Sequence, residues 1–98
     1  TSDKRIKKNI VSLANGLDII NSLRPVEFDY KENDRHDLGF IAQEYEMVLP
    51  DQIVKEDPND VHKEWVNDKI LNINQNLVPY LVKSIQELTT RLEALESK

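Results

Sequence analysis

The residues best placed to do chemistry lie at the start of the chain, in Ser2-Asp3-Lys4-Arg5-Ile6-Lys7-Lys8-Asn9-Ile10. Out of context this is a basic arm, and its plain reading is a solvated tail. It also holds a hydroxyl and an amine, the ingredients of a Ser–Lys pair in which a neutral amine activates a serine. Other chemistries have weaker support. His36 and His62 are far apart, show no metal-ligand spacing and read as solvated loop histidines, so no metal is expected. No cofactor is expected either: the chain has two glycines, and neither G-x-x-x-x-G-K-[ST] nor G-x-G-x-x-G occurs. G-x-S-x-G is also missing, and a Ser–His–Asp triad would have to recruit a loop histidine.

Elements must hold such an arm in place, and the bulk composition bounds what they can be. Ninety-eight residues with 39% hydrophobic and 32% charged side chains make one small domain with a thin core. Association with further copies would supply the missing buried surface. A net charge of −5 argues against nucleic-acid binding, and no apolar run approaches the ~20 residues of a membrane helix. With no cysteine, disulfide and thiolate chemistry are excluded. The chain opens on Thr1-Ser2-Asp3 without a leader pattern, and reads as a soluble fragment or processed product of something longer.

Apolar residues at Ile10, Leu13, Leu17, Ile20 and Leu23 predict an amphipathic helix, weakened at Gly16 so that it starts near Asn15, and ended by Arg24-Pro25. Val26, Phe28 and Tyr30 alternate with charged residues and predict a strand. Glu32 to Asp37 reads as a loop, and Leu38 to Ala42 as a strand running into a helix over Gln43 to Leu49. Gln52 to Glu56 and Lys69 to Ile73 are candidate strands, separated by the turn signal Asp57-Pro58-Asn59-Asp60. The Asp57 to Asp68 loop with Trp65 is read as a surface protrusion touching the segment ahead of the module.

The last stretch carries a heptad seam. Leu71, Val78, Ile85 and Leu92 fall at a positions; Asn74, Leu81, Leu88 and Leu95 fall at d. From Asn74 a helix would run ~37 Å, with Pro79 marking a kink or a later start. So thin a seam implies self-association; the rival is a helix packed back on its own domain. Ile at a with Leu at d leans weakly towards two strands.

At this point the residues resemble a known family. Ser2-Asp3-x-Arg5-x-Lys7-x-Asn9-Ile10 is similar to the entry motif of the intramolecular chaperone auto-processing domain of phage endosialidase tailspikes, tail fibres and neck appendages, found also in myelin regulatory factor. Leu23-Arg24-Pro25-Val26-x-Phe28-x-Tyr30, Gly39-Phe40-Ile41-Ala42-Gln43-Glu44, Leu49-Pro50 and the run from Leu77 to Leu88 resemble its later blocks, in order. The resemblance implies an α+β domain (1–73) followed by a long C-terminal helix (74–98) forming a trimeric coiled coil through Val78, Leu81, Ile85, Leu88, Leu92 and Leu95. It implies a homotrimer that assists folding of the fibre or tailspike ahead of it in the host cytoplasm. The module then releases itself from the fibre at Thr1–Ser2, with Ser2 as nucleophile and Lys7 as base. The alternatives are the same module without cleavage, or a coiled-coil adaptor that binds a partner protein; a conventional hydrolase is the weakest reading.

Catalysis by lysine needs the neutral amine, whose reference pKa is ~10.4. Burial and neighbouring cations lower it; Lys4, Arg5 and Lys8 supply the cations, and assembly would have to supply the burial. An offset of five puts Ser2 and Lys7 on opposite faces of a strand and about 140° apart on a helix. Either the chain turns between them or the lysine comes from a neighbouring subunit. Asp3 is a candidate to orient Lys7, against the plainer reading of a solvated carboxylate.

Overall fold

The computed structural model describes residues 1–98 as two small hairpins and two short helices gathered at the foot of one long helix. The order is α1 (Leu17–Asn21), β1 (Val26–Asp29), β2 (His36–Gly39), α2 (Ala42–Val48), β3 (Ile53–Glu56), β4 (Ile70–Ile73) and α3 (Val78–Glu96). The α+β reading and the C-terminal helix are therefore observed. Single 3₁₀ turns lie at Lys4–Ile6, Pro50–Gln52 and His62–Glu64. No helix is long and apolar enough to cross a membrane.

Both sheets are antiparallel pairs, β1 with β2 and β3 with β4. Strand β2 begins two residues before the predicted one, because His36 and Asp37 belong to the ladder and not to the loop. His36 lies opposite Asp29 in the register. Its Nδ1 is 2.7 Å from Asp29 Oδ1 and its Nε2 3.2 Å from Glu27 Oε1. The chain reverses over Tyr30–Arg35, where Asp34 takes a left-handed φ of 57°, a conformation Asp tolerates. His62 is no free loop histidine either: its Nε2 lies 3.5 Å from Glu32 of that reversal. The predicted protrusion thus leans on the first hairpin, with the Lys31 ammonium 5.9 Å from the Trp65 ring centre.

The core is small. Tyr45, Leu49 and Leu77 are buried, and Ile19, Ile20, Leu23, Phe40, Val48, Ile53, Ile73 and Tyr80 pack around them. Phe40 meets Tyr45 edge to face at 5.5 Å, the arrangement aromatic quadrupoles prefer. The Tyr45 hydroxyl donates to Gln52 Oε1, which also accepts from the Asn76 N–H at 2.9 Å, while Gln52 Nε2 donates to the Asn76 carbonyl at 3.0 Å. A buried hydroxyl needs such a partner, and this one ties α2, the β3 entry and the α3 entry together. Arg24 clamps Glu44 through two bonds of 2.8 and 2.6 Å, fixing the exit of α1 to α2.

Two expectations are refined. The first helix is five residues long and starts at Leu17, two residues after the expected start near Asn15. Gly16 is its N-cap and packs backbone to backbone on α3: a Cβ there would stand 2.5 Å from Ser84 N and 2.8 Å from the Tyr80 carbonyl oxygen. The last helix begins at Val78 with Pro79 in its first turn, where a missing N–H costs nothing. Leu71 sits in β4 and Asn74 donates its N–H to the Gln52 carbonyl at 2.7 Å, so neither joins the heptads. The helix has 19 residues and runs ~28 Å.

Gly16→Ala should lower stability by at least about 2 kcal/mol, since backbone cannot yield to the added methyl as a side chain could; denaturant unfolding measures it. The Asp29 bond first and the Glu27 bond second raise the His36 pKa above its ordinary value. Protonated His36 therefore favours the folded state below the unfolded pKa of ~6.5, and that contribution disappears as pH rises through the raised folded value. His36→Gln should cost stability at pH ~6, where Glu27 and Asp29 are still ionised, and cost less at pH ~9. Equal costs at both would contradict the assignment.

Candidate functional site

Ser2 and Lys7 flank the 3₁₀ turn Lys4–Ile6. Asp3 is its N-cap: the carboxylate accepts from Arg5 N at 2.9 Å and from Arg5 Nε and Nη2 at 3.0 and 2.7 Å. These bonds, the side-chain ones foremost, hold the Asp3 carboxyl below its usual range. Asp3 is thereby committed to Arg5 and does not orient Lys7. Lys7 closes the turn by donating its N–H to the Lys4 carbonyl and leaves in an extended conformation, φ −113° and ψ 152°. Both Ser2 and Lys7 are exposed, and no hydrogen bond joins them in the single chain.

Beyond the turn the arm runs on without partners. Asn9 takes a left-handed φ of 55° and bends the chain. From Lys8 to Asn15 no backbone group enters a backbone hydrogen bond, and Ile10, Val11 and Leu13 are exposed. The arm becomes fixed at Gly16, whose N–H donates to Glu87 Oε1 at 2.8 Å. Sequence reasoning read Gly16 as a weak point in a helix, and Glu87 lies off the heptad seam that it picked out. Their pairing spans 71 residues and has no local signal. The Asp3 cap was missed as well, although it has a local signal: Asp favours the position directly before a helical turn.

On α3 two faces are put to different use. Leu77, Tyr80, Ser84 and Glu87 recur at helical spacing on the flank that docks on the domain: Tyr80, Ser84 and Glu87 meet Gly16, with Ser84 buried, and Leu77 is buried with Tyr45 and Leu49. Ser84 satisfies its hydroxyl on the Tyr80 carbonyl at 2.7 Å. The heptad residues Val78, Leu81, Ile85, Leu88, Leu92 and Leu95 all remain exposed. The helix does pack back on its own domain, but not through the seam, which stays free for another surface. No three His, Asp or Glu side chains converge in a way that could hold a metal ion.

With this geometry in hand, comparison with known proteins is informative. A family model described as the chaperone of endosialidase, in a family named as a peptidase, matches residues 2–54, more than half of the chain. The match opens on Ser2 and ends in β3. Long tail fiber protein Gp37 of Enterobacteria phage K3 is 29% identical over 99% of this chain, which spans 8% of that protein. Its namesake in Enterobacteria phage T2 is likewise 29% identical over 99% of the chain, here 7% of the relative. The chain belongs to the chaperone-of-endosialidase family.

Proposed function

We propose that this chain is the chaperone module of a phage tail fibre, that it assembles as a homotrimer, and that it then severs itself from the fibre. The observation that carries this reading is the free seam of α3. Six large apolar residues at alternating three- and four-residue steps are held outward by a helix whose other flank is already anchored. Family membership and the two fibre relatives support the fibre-assembly role. Residues 1–73 would form the chaperone domain and 74–98 the stem. Three stems joined through the seam would bring three copies of the upstream segment into register before it folds, in the host cytoplasm during virion assembly.

Cleavage is assigned to Ser2 and Lys7. Neutral Lys7 Nζ takes the hydroxyl proton as Ser2 Oγ attacks the Thr1 carbonyl. The acyl group moves from Ser2 N to Ser2 Oγ, and the proton passes to the released amine. Water then opens the ester, leaving a Thr1 carboxylate and a new amino terminus at Ser2. Because nucleophile and scissile bond share one residue, the step is already unimolecular and needs little further acceleration. The exposed arm of the single chain is not yet such a site. Burial disfavours the charged form of any lysine, so assembly that covers the arm would switch the chemistry on only after the chains have met.

The test is intact-mass spectrometry of the module carrying its native upstream segment, beside Ser2→Ala and Lys7→Ala. The parent should split at Thr1–Ser2 while both variants stay whole. A parent that stays whole yet assembles leaves a chaperone without cleavage and removes the catalytic assignment.

A further inference from the structure

The side of α3 that carries the arm faces where a neighbouring stem must lie. At 100° per residue, the docking residues Leu77, Tyr80, Ser84 and Glu87 centre roughly 100° round the helix from the seam, on the flank of the g position. In a parallel bundle that flank looks onto the e position of the next helix. The e position at this height is Val82, an apolar residue 48% exposed and outside the a/d seam. Gly16 is level with it, wedged against Tyr80, Lys83 and Ser84. On its own chain, however, Val82 points to the far side of the helix from Gly16.

We infer that residues Lys8–Asn15 of one copy lie in the groove between its own stem and the neighbour's, with Leu13 seated on the neighbour's Val82. This rests on the self-association reading of the seam. Two further observations support it. The arm has unspent backbone hydrogen bonds along its length and exposed apolar side chains at Ile10, Val11 and Leu13. Three residues from Gly16 to Leu13 reach ~10 Å, and packed helices stand 8–10 Å apart. Each arm would thus be fixed by a second copy, and the cleavage residues placed only in the assembly.

The chain has no cysteine, so introduced ones report cleanly. Leu13→Cys and Val82→Cys chains bearing tags of different mass are refolded together and mildly oxidised, with sedimentation run alongside. The expected product is a disulfide joining the two tags, with Leu13→Asp raising the concentration for half-assembly about tenfold or more. An oligomer that forms no cross-chain disulfide and assembles as readily with Leu13→Asp overturns the arm placement alone. A monomer at every concentration overturns the stem reading and the arm placement with it.

Discussion

The contact on which most of this structure depends is the approach of Gly16 to the backbone of α3. A side chain at that position would collide with the Ser84 amide and the Tyr80 carbonyl, so the absence of a Cβ sets how close α1 can come. Glu87 completes the contact by accepting the Gly16 N–H from 71 residues away. The consequences run in both directions along the chain. Towards the C-terminus, one flank of α3 is taken up by the domain and the heptad flank is left open. Towards the N-terminus, the arm that holds Ser2 and Lys7 is rooted on the stem rather than on the hairpins.

What this anchored domain can bury by itself is slight. Six of 98 residues are buried, and the radius of gyration is 18.1 Å where a compact chain of this length has about 13 Å. The Tyr45–Gln52–Asn76 knot gives the small core a defined geometry, since a half-satisfied polar cluster costs more than an apolar one. It adds little apolar area. The seam residues and the arm are where further burial is available, and at ~25 cal/mol per Å² their removal from water on association is the larger reserve. Under the proposed assembly, fold and association are one problem: the parts left unfinished in a single chain are the parts the interface would cover.

How much of this is legible in the sequence depends on the range of the interaction. Val26 to Asp29, Ile53 to Glu56 and Ile70 to Ile73 alternate or run apolar between turn signals, and they are strands. Leu81 to Leu95 repeats by threes and fours and is helix, since propensity and periodicity there agree. The misreadings involve distant partners. Ile10 and Leu13 fit a helical period with Leu17, but Gly16 is held by α3 and the helix starts after it. His36 looks like a loop residue because its carboxylates, Glu27 and Asp29, lie across a turn. For the candidate site, residue types and the signal for the Asp3 cap are local. In the single chain Ser2 and Lys7 are exposed and unjoined, and under the proposed assembly the environment that makes them a working pair comes from other copies.

The central claim is that the open face of α3 is an interface between copies of this chain. Sedimentation equilibrium over a range of protein concentrations, with Ile85→Asp as comparison, tests it most directly. The account predicts a species of three times the 11.4 kDa chain mass that dissociates when Ile85 is charged. A parent that sediments as a single 11.4 kDa chain at every concentration, with α3 still helical, would contradict it.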